Sequence, residues 1–256
     1  MKDYLQLEGR HILVTGAASG IGRQTAIILS EYGAKVSLVD LSEERLKETM
    51  TGLTGEGHSL HAIDLSDIDA LETKMKEIIQ EHGAFDGYVQ SAGINRDLPI
   101  TSVKFEKIHQ LMLVNFYSFY EIVRILAKKG RYNPGLSIVG ISSTASICGV
   151  PAQTAYSSTK AAMNGAMRSM AKELGSKGIR VNTIMPGPTN TGMYQDYMVL
   201  RAETKEADKV GIAAPRNYLG MNEPYDVANA VAFLLSPASR HITGVTLAVD
   251  SGFTSC

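Results

Sequence analysis

Thr15-Gly16-Ala17-Ala18-Ser19-Gly20-Ile21-Gly22 follows directly on an apolar run, His11–Thr15, and leads directly into a helical pattern, Arg23–Tyr32. Glycines at this spacing let the chain turn tightly and let bare backbone approach a ligand. A helix that opens there offers unpaired N–H groups and the positive end of its dipole to an anion. A glycine triplet alone is weak evidence. With a strand before it and a helix after it, the context is that of a dinucleotide-binding turn. The expectation is that Gly16, Ser19, Gly20, Ile21 and Gly22 face the phosphates of a dinucleotide.

Working outward, further strand patterns fall at Lys35–Asp40, Ser59–Asp64, Gly87–Gln90, Ser137–Ser142, Arg180–Met185 and Thr246–Val249. Several are apolar nearly throughout, as strands buried on both faces of a parallel sheet are. Amphipathic stretches such as Asp69–His82 and Ala161–Leu174 lie between them. This alternation predicts an α/β fold, a doubly wound, Rossmann-type parallel sheet of about seven strands with helices on both faces. No repeat or Pro/Ser linker divides residues 1–256, so one domain is expected. From Pro188 to about Glu223 no strand is apparent, and Met193, Tyr194, Tyr197 and Met198 precede a charged run, Arg201–Lys209. A long segment just after a strand's C-terminal end lies where open α/β sheets bind ligands, so 188–223 is read as a substrate lid.

The bulk properties exclude other classes. Of the 256 residues, 44% are hydrophobic and 20% charged, and the formal net charge is -1. Such a balance gives no electrostatic case for a nucleic-acid or anionic-membrane partner. No stretch approaches the roughly 20 apolar residues of a membrane span. Asp3 and Glu8 stand where a signal peptide would be apolar, so a cytoplasmic location is expected. With only Cys148 and Cys256 no disulfide framework is expected, and the histidines show no zinc spacing. His58 and His61 read as one strand with side chains on opposite faces, so no metal is expected.

Asp40 ends the second strand, where an acidic residue binds the adenosine ribose hydroxyls. Its carboxylate repels a 2′-phosphate, and Ala17, Ala18 and Leu41 supply no cation, so NAD(H) is favoured over NADP(H). Tyr156 and Lys160 are spaced to share one helical face. A phenol with pKa about 10 is a poor base at neutral pH, and a neighbouring ammonium lowers that value.

In register with these residues lie Ser91-Ala92-Gly93, Asn115, Ser142-Ser143 and Pro186-Gly187. Together they make the chain, from about Gly9 to Gly252, resemble the short-chain dehydrogenase/reductase family, most closely its 3-oxoacyl-carrier-protein reductase branch. The resemblance implies an oxidoreductase that moves a hydride between a nicotinamide dinucleotide and a secondary alcohol or ketone. It implies that Tyr156 exchanges a proton with the substrate oxygen and that Ser143 donates to that oxygen. Lys160 depresses the tyrosine pKa and binds the nicotinamide ribose, and Asn115 holds a relay water. Ala92 and Gly93 border the cofactor, Asp64 and Leu65 the adenine, and Pro186, Gly187 and Thr191 the carboxamide. The resemblance also implies a homo-oligomer, a tetramer or dimer. Two departures stand out: Gln90-Ser91 replaces a common asparagine pair, where altered packing is expected, and Ser251 replaces a common glycine. Three substrate classes stay open: 3-oxoacyl thioesters, sugars or polyols, and hydroxysteroid-like alcohols. The alternative is a dinucleotide-sensing or scaffold protein without turnover, against which the intact Asn115, Ser143, Tyr156 and Lys160 count.

Overall fold

Alternation of side chains along each strand sends neighbouring residues to opposite faces of one sheet. In the computed structural model, which describes residues 4–203 and 217–255, Leu13 packs on one face while Ile12 and Val14 pack on the other. Every strand has two faces to bury, so the apolar runs read from the sequence are what this sheet requires. The strands are β1 (His11–Thr15), β2 (Lys35–Asp40), β3 (Ser59–Ala62), β4 (Phe85–Gln90), β5 (Tyr132–Ile141), β6 (Arg180–Pro186) and β7 (Thr246–Val249). Their order is β3-β2-β1-β4-β5-β6-β7, and every pairing is parallel.

Helices cover both faces. On one, α3 (Ile68–His82), α5 (Ser118–Leu126) and α6 (Thr154–Leu174) contribute Met75, Phe119 and Met167 to a core with Phe85 and Ile138. On the other, α1 (Gly20–Glu31), α2 (Glu43–Thr51) and α8 (Pro224–Leu235) contribute Leu29, Leu46 and Val231 to a core with Val36 and Ile184. Two further helices, α4 (Phe105–Met112) and α7 (Gly192–Glu203), lie outside this scheme. The doubly wound, seven-stranded parallel sheet expected from the sequence is the fold observed.

Boundaries differ where side chains redirect the backbone. β3 stops short of the expected Asp64 because that carboxylate accepts from Ser66 N–H (2.8 Å) and Ser66 Oγ (2.7 Å), folding a turn that leaves the sheet. The expected shared strand for His58 and His61 also fails: His58 precedes β3, and its Nδ1 accepts from Val36 N–H. β5 begins at Tyr132, ahead of the expected Ser137. Asn133-Pro134-Gly135 forms an irregularity where the register with β4 shifts, with Gly135 at φ +87°. α6 starts at Thr154, seven residues before the expected Ala161, which puts Tyr156 in its first turn. Within 188–223, α7 supplies helix where no strand was apparent, and the roots are tied by Asn190 N–H to Asn222 O (2.8 Å) and Asn222 N–H to Pro188 O (3.0 Å). Most of the charged run Arg201–Lys209, and the side chain of Tyr197, lie outside the described residues.

Gln90 accounts for the packing change at the departure from the asparagine pair. Its buried Oε1 accepts from Thr15 Oγ1 (3.0 Å) and from the Tyr88 hydroxyl, and its Nε2 donates to Ala92 O (3.2 Å) and Ser118 Oγ (3.1 Å). One amide thus ties β1, β4 and α5 together beneath the β1/β4 crevice. Gln90→Leu strands the Tyr88 hydroxyl and Ala92 carbonyl, and is expected to lower stability by about 2 to 3 kcal/mol, read from the urea midpoint.

Candidate active site

The strand order reverses between β1 and β4, and at that switch point the carboxyl ends of the strands open a crevice. Gly16 sits at φ +69°, and a Cβ on it would stand 2.6 Å from Ala92 N. A Cβ on Gly22 would stand 2.1 Å from Gly16 O. Both glycines are therefore required by backbone-to-backbone contact. Ser19 is extended and its side chain does not cap α1, so the helix presents its opening N–H groups to the crevice. Residues distant in sequence close around this turn. A Cβ on Gly20 would lie 3.3 Å from Thr191 Cγ2, and one on Gly187 would lie 2.9 Å from Asp250 Cα.

Asp40 stands at the end of β2 beside the same turn. Its carboxylate accepts from Ala18 N–H (3.2 Å) and from Leu41 N–H (2.8 Å), which fixes it at the rim. Asp64 and Leu65 follow β3 directly beyond it, linked by Ile63 N–H to Asp40 O (2.8 Å), and Leu65 is buried in the core. A cation that sequence reasoning missed lies here too. Arg23 Nη2 donates to Ala18 O (2.6 Å) and pairs with Glu48 at 3.0 Å. Its charge is thereby matched by a carboxylate, and Arg45 stands on α2 with its N–H on Ser42 Oγ.

The second cluster gathers on α6. Tyr156 is partly buried in the first turn, and Lys160, buried, follows one turn later on the same face with Nζ 5.7 Å from the centre of the tyrosine ring. Burial pushes the Tyr156 phenol up to about 12. The Ser143 hydroxyl beside it works the other way, and the charge of Asp97 adds to the rise. The expected depression of the phenol by Lys160 is therefore not what this structure holds. Lys160 Nζ donates to Ile141 O (2.7 Å) rather than to the phenol, and burial lowers its own pKa to about 8. Ser143 enters from the end of β5, and its Oγ accepts from Ala145 N–H (3.1 Å). Ser142, the alternative serine, is buried with Oγ on Lys160 O (3.4 Å).

Asn115 occupies a wide π-type turn, Leu113–Tyr117, between α4 and α5. Such turns recur at functional sites. Its fully buried amide accepts from Ile94 N–H (2.8 Å) and donates to Ile94 O (2.9 Å) and Thr159 Oγ1 (3.0 Å). It therefore clamps the β4 loop to α6. Gly93 is the hinge between the parts: a Cβ on it would lie 3.3 Å from Lys160 Nζ and 3.5 Å from Asn115 Oδ1. The structure thus brings together Asn115, Ser143, Tyr156, Lys160, Ala92 and Gly93, as well as the phosphate turn with Asp40 and Thr191. Sequence reasoning missed the Asn95–Asp97–Gln153 group beside Tyr156. Asn95 Nδ2 donates to both Asp97 carboxylate oxygens at 3.1 Å, and Gln153 also bonds that carboxylate, which burial pushes up. No spacing signals this group, because Gln153 arrives from a different segment.

Comparisons with known proteins match this geometry. A family model described as enoyl-(acyl carrier protein) reductase matches residues 16–254. The chain is similar to the 3-oxoacyl-(acyl-carrier-protein) reductase of Thermotoga maritima, with 32% identity over 97% of this chain and 99% of that protein. It is also similar to the 2,5-dichloro-2,5-cyclohexadiene-1,4-diol dehydrogenase of Sphingobium indicum, with 33% identity over 97% of this chain and 98% of that one. Among solved structures, a short-chain dehydrogenase from Mycobacterium paratuberculosis bound to NAD superposes with a TM-score of 0.88 at 28% identity, covering 98% of this chain and 100% of that one. A short-chain glucose/ribitol dehydrogenase from Brucella melitensis gives 0.86 at 28% identity, covering 96% and 97%.

Lys160 carries a stability cost that can be measured. Its folded pKa of about 8 lies below its ordinary 10.5, so the penalty is fully present below about pH 8 and is relieved as pH rises through that interval. Lys160→Met is expected to be more stable than the wild type at pH 7 by about 1 to 3 kcal/mol, the lost bond to Ile141 O offsetting part of the gain. The gap between their urea midpoints should narrow toward pH 10.

Proposed function

Because the chain belongs to the short-chain dehydrogenase/reductase family, and so is a hydride-transferring oxidoreductase of CH–OH and keto groups that uses a nicotinamide dinucleotide, we propose that it interconverts a secondary alcohol and a ketone with NAD(H). The observation that carries this reading is the grouping of Ser143 beside the Tyr156 hydroxyl with Lys160 one helical turn behind it, at the mouth of the β1/β4 crevice. The glycine cradle fits the cofactor, since Gly16 and Gly22 leave bare backbone where any Cβ would strike the chain. In this reading Gly16, Ser19, Gly20, Ile21 and Gly22 hold the phosphates. Asp40 holds the ribose, Asp64 and Leu65 border the adenine, and Ala92, Gly93, Pro186, Gly187 and Thr191 flank the nicotinamide half. When bound, the nicotinamide accepts or supplies the hydride.

The protein's own residues handle the proton. During reduction Ser143 donates to the substrate oxygen as negative charge gathers there, and Tyr156 gives that oxygen its proton. A phenol raised to about 12 holds that proton securely until the developing alkoxide draws it away. In the reverse direction the phenolate needs positive charge, which Lys160 and an oxidised nicotinamide ring provide together. Asn115, pinned to Ile94 and Thr159, holds the water through which Lys160 recovers a proton from solvent. Asp40 makes NAD(H) the preferred cofactor: its carboxylate repels a 2′-phosphate, and Arg23, the nearby cation, is already paired with Glu48. The chain acts as one domain, with 188–223 as its substrate lid. Tyr117, exposed on the turn that carries Asn115, and Tyr120, exposed on α5 directly after it, serve a homotetramer interface. Among the described residues no helix is long and apolar enough to cross a membrane.

The test is nicotinamide absorbance with NAD(H) and NADP(H) in parallel against 3-oxoacyl thioesters, sugars and polyols, and hydroxysteroids. Wild type should turn over one class, faster with NAD(H). Tyr156→Phe should lose about 100-fold or more in kcat while binding NADH as before. Turnover equal in the two proteins would reject the catalytic role of Tyr156. NADH binding with no turnover of any secondary alcohol would favour the sensing protein.

A second substitution isolates the cofactor preference. Asp40→Ser should raise kcat/KM with NADP(H) relative to NAD(H) by about tenfold or more, as the repulsion of the 2′-phosphate is removed. An unchanged ratio would show that Asp40 does not set the preference.

A further inference from the structure

The end of the sheet opposite the crevice holds a cleft of about 380 Å³ lined by Arg10, Arg180, Arg240, His241 and the backbone of Gly175 and Gly178. Arg10 precedes β1 and Arg180 opens β6, so the cleft lies at the amino edge of the strands, away from Tyr156. No carboxylate lines it. Among the described residues, no Asp or Glu forms an ion pair with Arg10, Arg180 or Arg240. Arg180 is held in place by its own bonds to Ser236 O (3.2 Å) and Ile242 O (3.3 Å), and Arg10 Nε donates to Gln6 O (3.1 Å).

Like charges gathered in a partly buried cleft repel one another unless an anion joins them. Burial, with the charge of Arg10 adding to it, pulls the Arg180 pKa down to about 10, the direction expected of a cation held near another with no anion beside them. Arg23 is matched by Glu48, and Arg124 and Arg131 by Glu72, whereas Arg45, Arg96 and Arg168, like the cleft arginines, form no ion pair among the described residues; what sets the cleft apart is that three arginines share one concavity. A guanidinium's planar fork suits phosphate oxygens, and three of them around one concavity suit a group carrying two negative charges. Gly175 and Gly178 have nothing within 4 Å of a Cβ position, so the mouth is open.

We propose that this cleft is a second ligand site, separate from the dinucleotide crevice, that binds the phosphate group of a small molecule. The test is a calorimetric titration of inorganic pyrophosphate into the intact protein with NADH in excess, so that the glycine turn is occupied. The wild type should show saturable binding. Arg10→Gln/Arg240→Gln changes only partly or fully exposed side chains, so it should melt with the wild type and bind pyrophosphate at least about tenfold more weakly. Arg180→Lys, which keeps the charge but loses the fork, should weaken binding as well. Absence of saturable binding by the wild type would overturn the proposal, and so would equal binding by the double variant.

Discussion

The contact on which the site depends is backbone against backbone, where Gly16 meets Ala92 and Gly22 meets Gly16 O. In a parallel sheet whose strand order reverses between β1 and β4, the two loops leave in opposite directions and open a crevice. Only residues without a Cβ let those loops touch at its floor, since a side chain on Gly16 would stand 2.6 Å from Ala92 N. Gln90 holds the same place from below, joining β1, β4 and α5 through one buried amide. The crevice is therefore narrow and rigid for steric reasons, and the polar residues around it inherit that rigidity.

Rigidity allows an electrostatic arrangement that would otherwise relax. Lys160 is buried beside a backbone carbonyl and, among the described residues, pairs with no carboxylate, and burial both raises Tyr156 and lowers Lys160. Both shifts disfavour charge, so the site as it stands favours a neutral phenol and a readily deprotonated amine. Asp97, held by Asn95 and Gln153, adds to the rise of the phenol. Positive charge arriving in the crevice reverses the balance.

Asn115 illustrates how packing organises this arrangement. Its π-type turn breaks α4 from α5 and directs a fully buried amide at Ile94 and Thr159, so one side chain holds the β4 loop against α6. Gly93 lies against both Asn115 and Lys160, so the loop, the turn and the helix meet at one point.

Strand and helix order, the glycine turn and the helical face shared by Tyr156 and Lys160 were all determined by the sequence itself. Hydrophobic period and the absence of a Cβ are local properties, readable wherever the neighbours in sequence are also the neighbours in space. β1, β2 and β7 carry the bounds that their patterns predict, whereas β3 ends early because Asp64 turns back on Ser66. The direction of the Tyr156 pKa shift, the π-type turn at Asn115, the Asp97 group, the Arg23–Glu48 pair and the cationic cleft were decided only by tertiary structure. Each depends on which distant side chains and carbonyls arrive at a buried point and how much water they exclude. No spacing along the chain encodes either quantity.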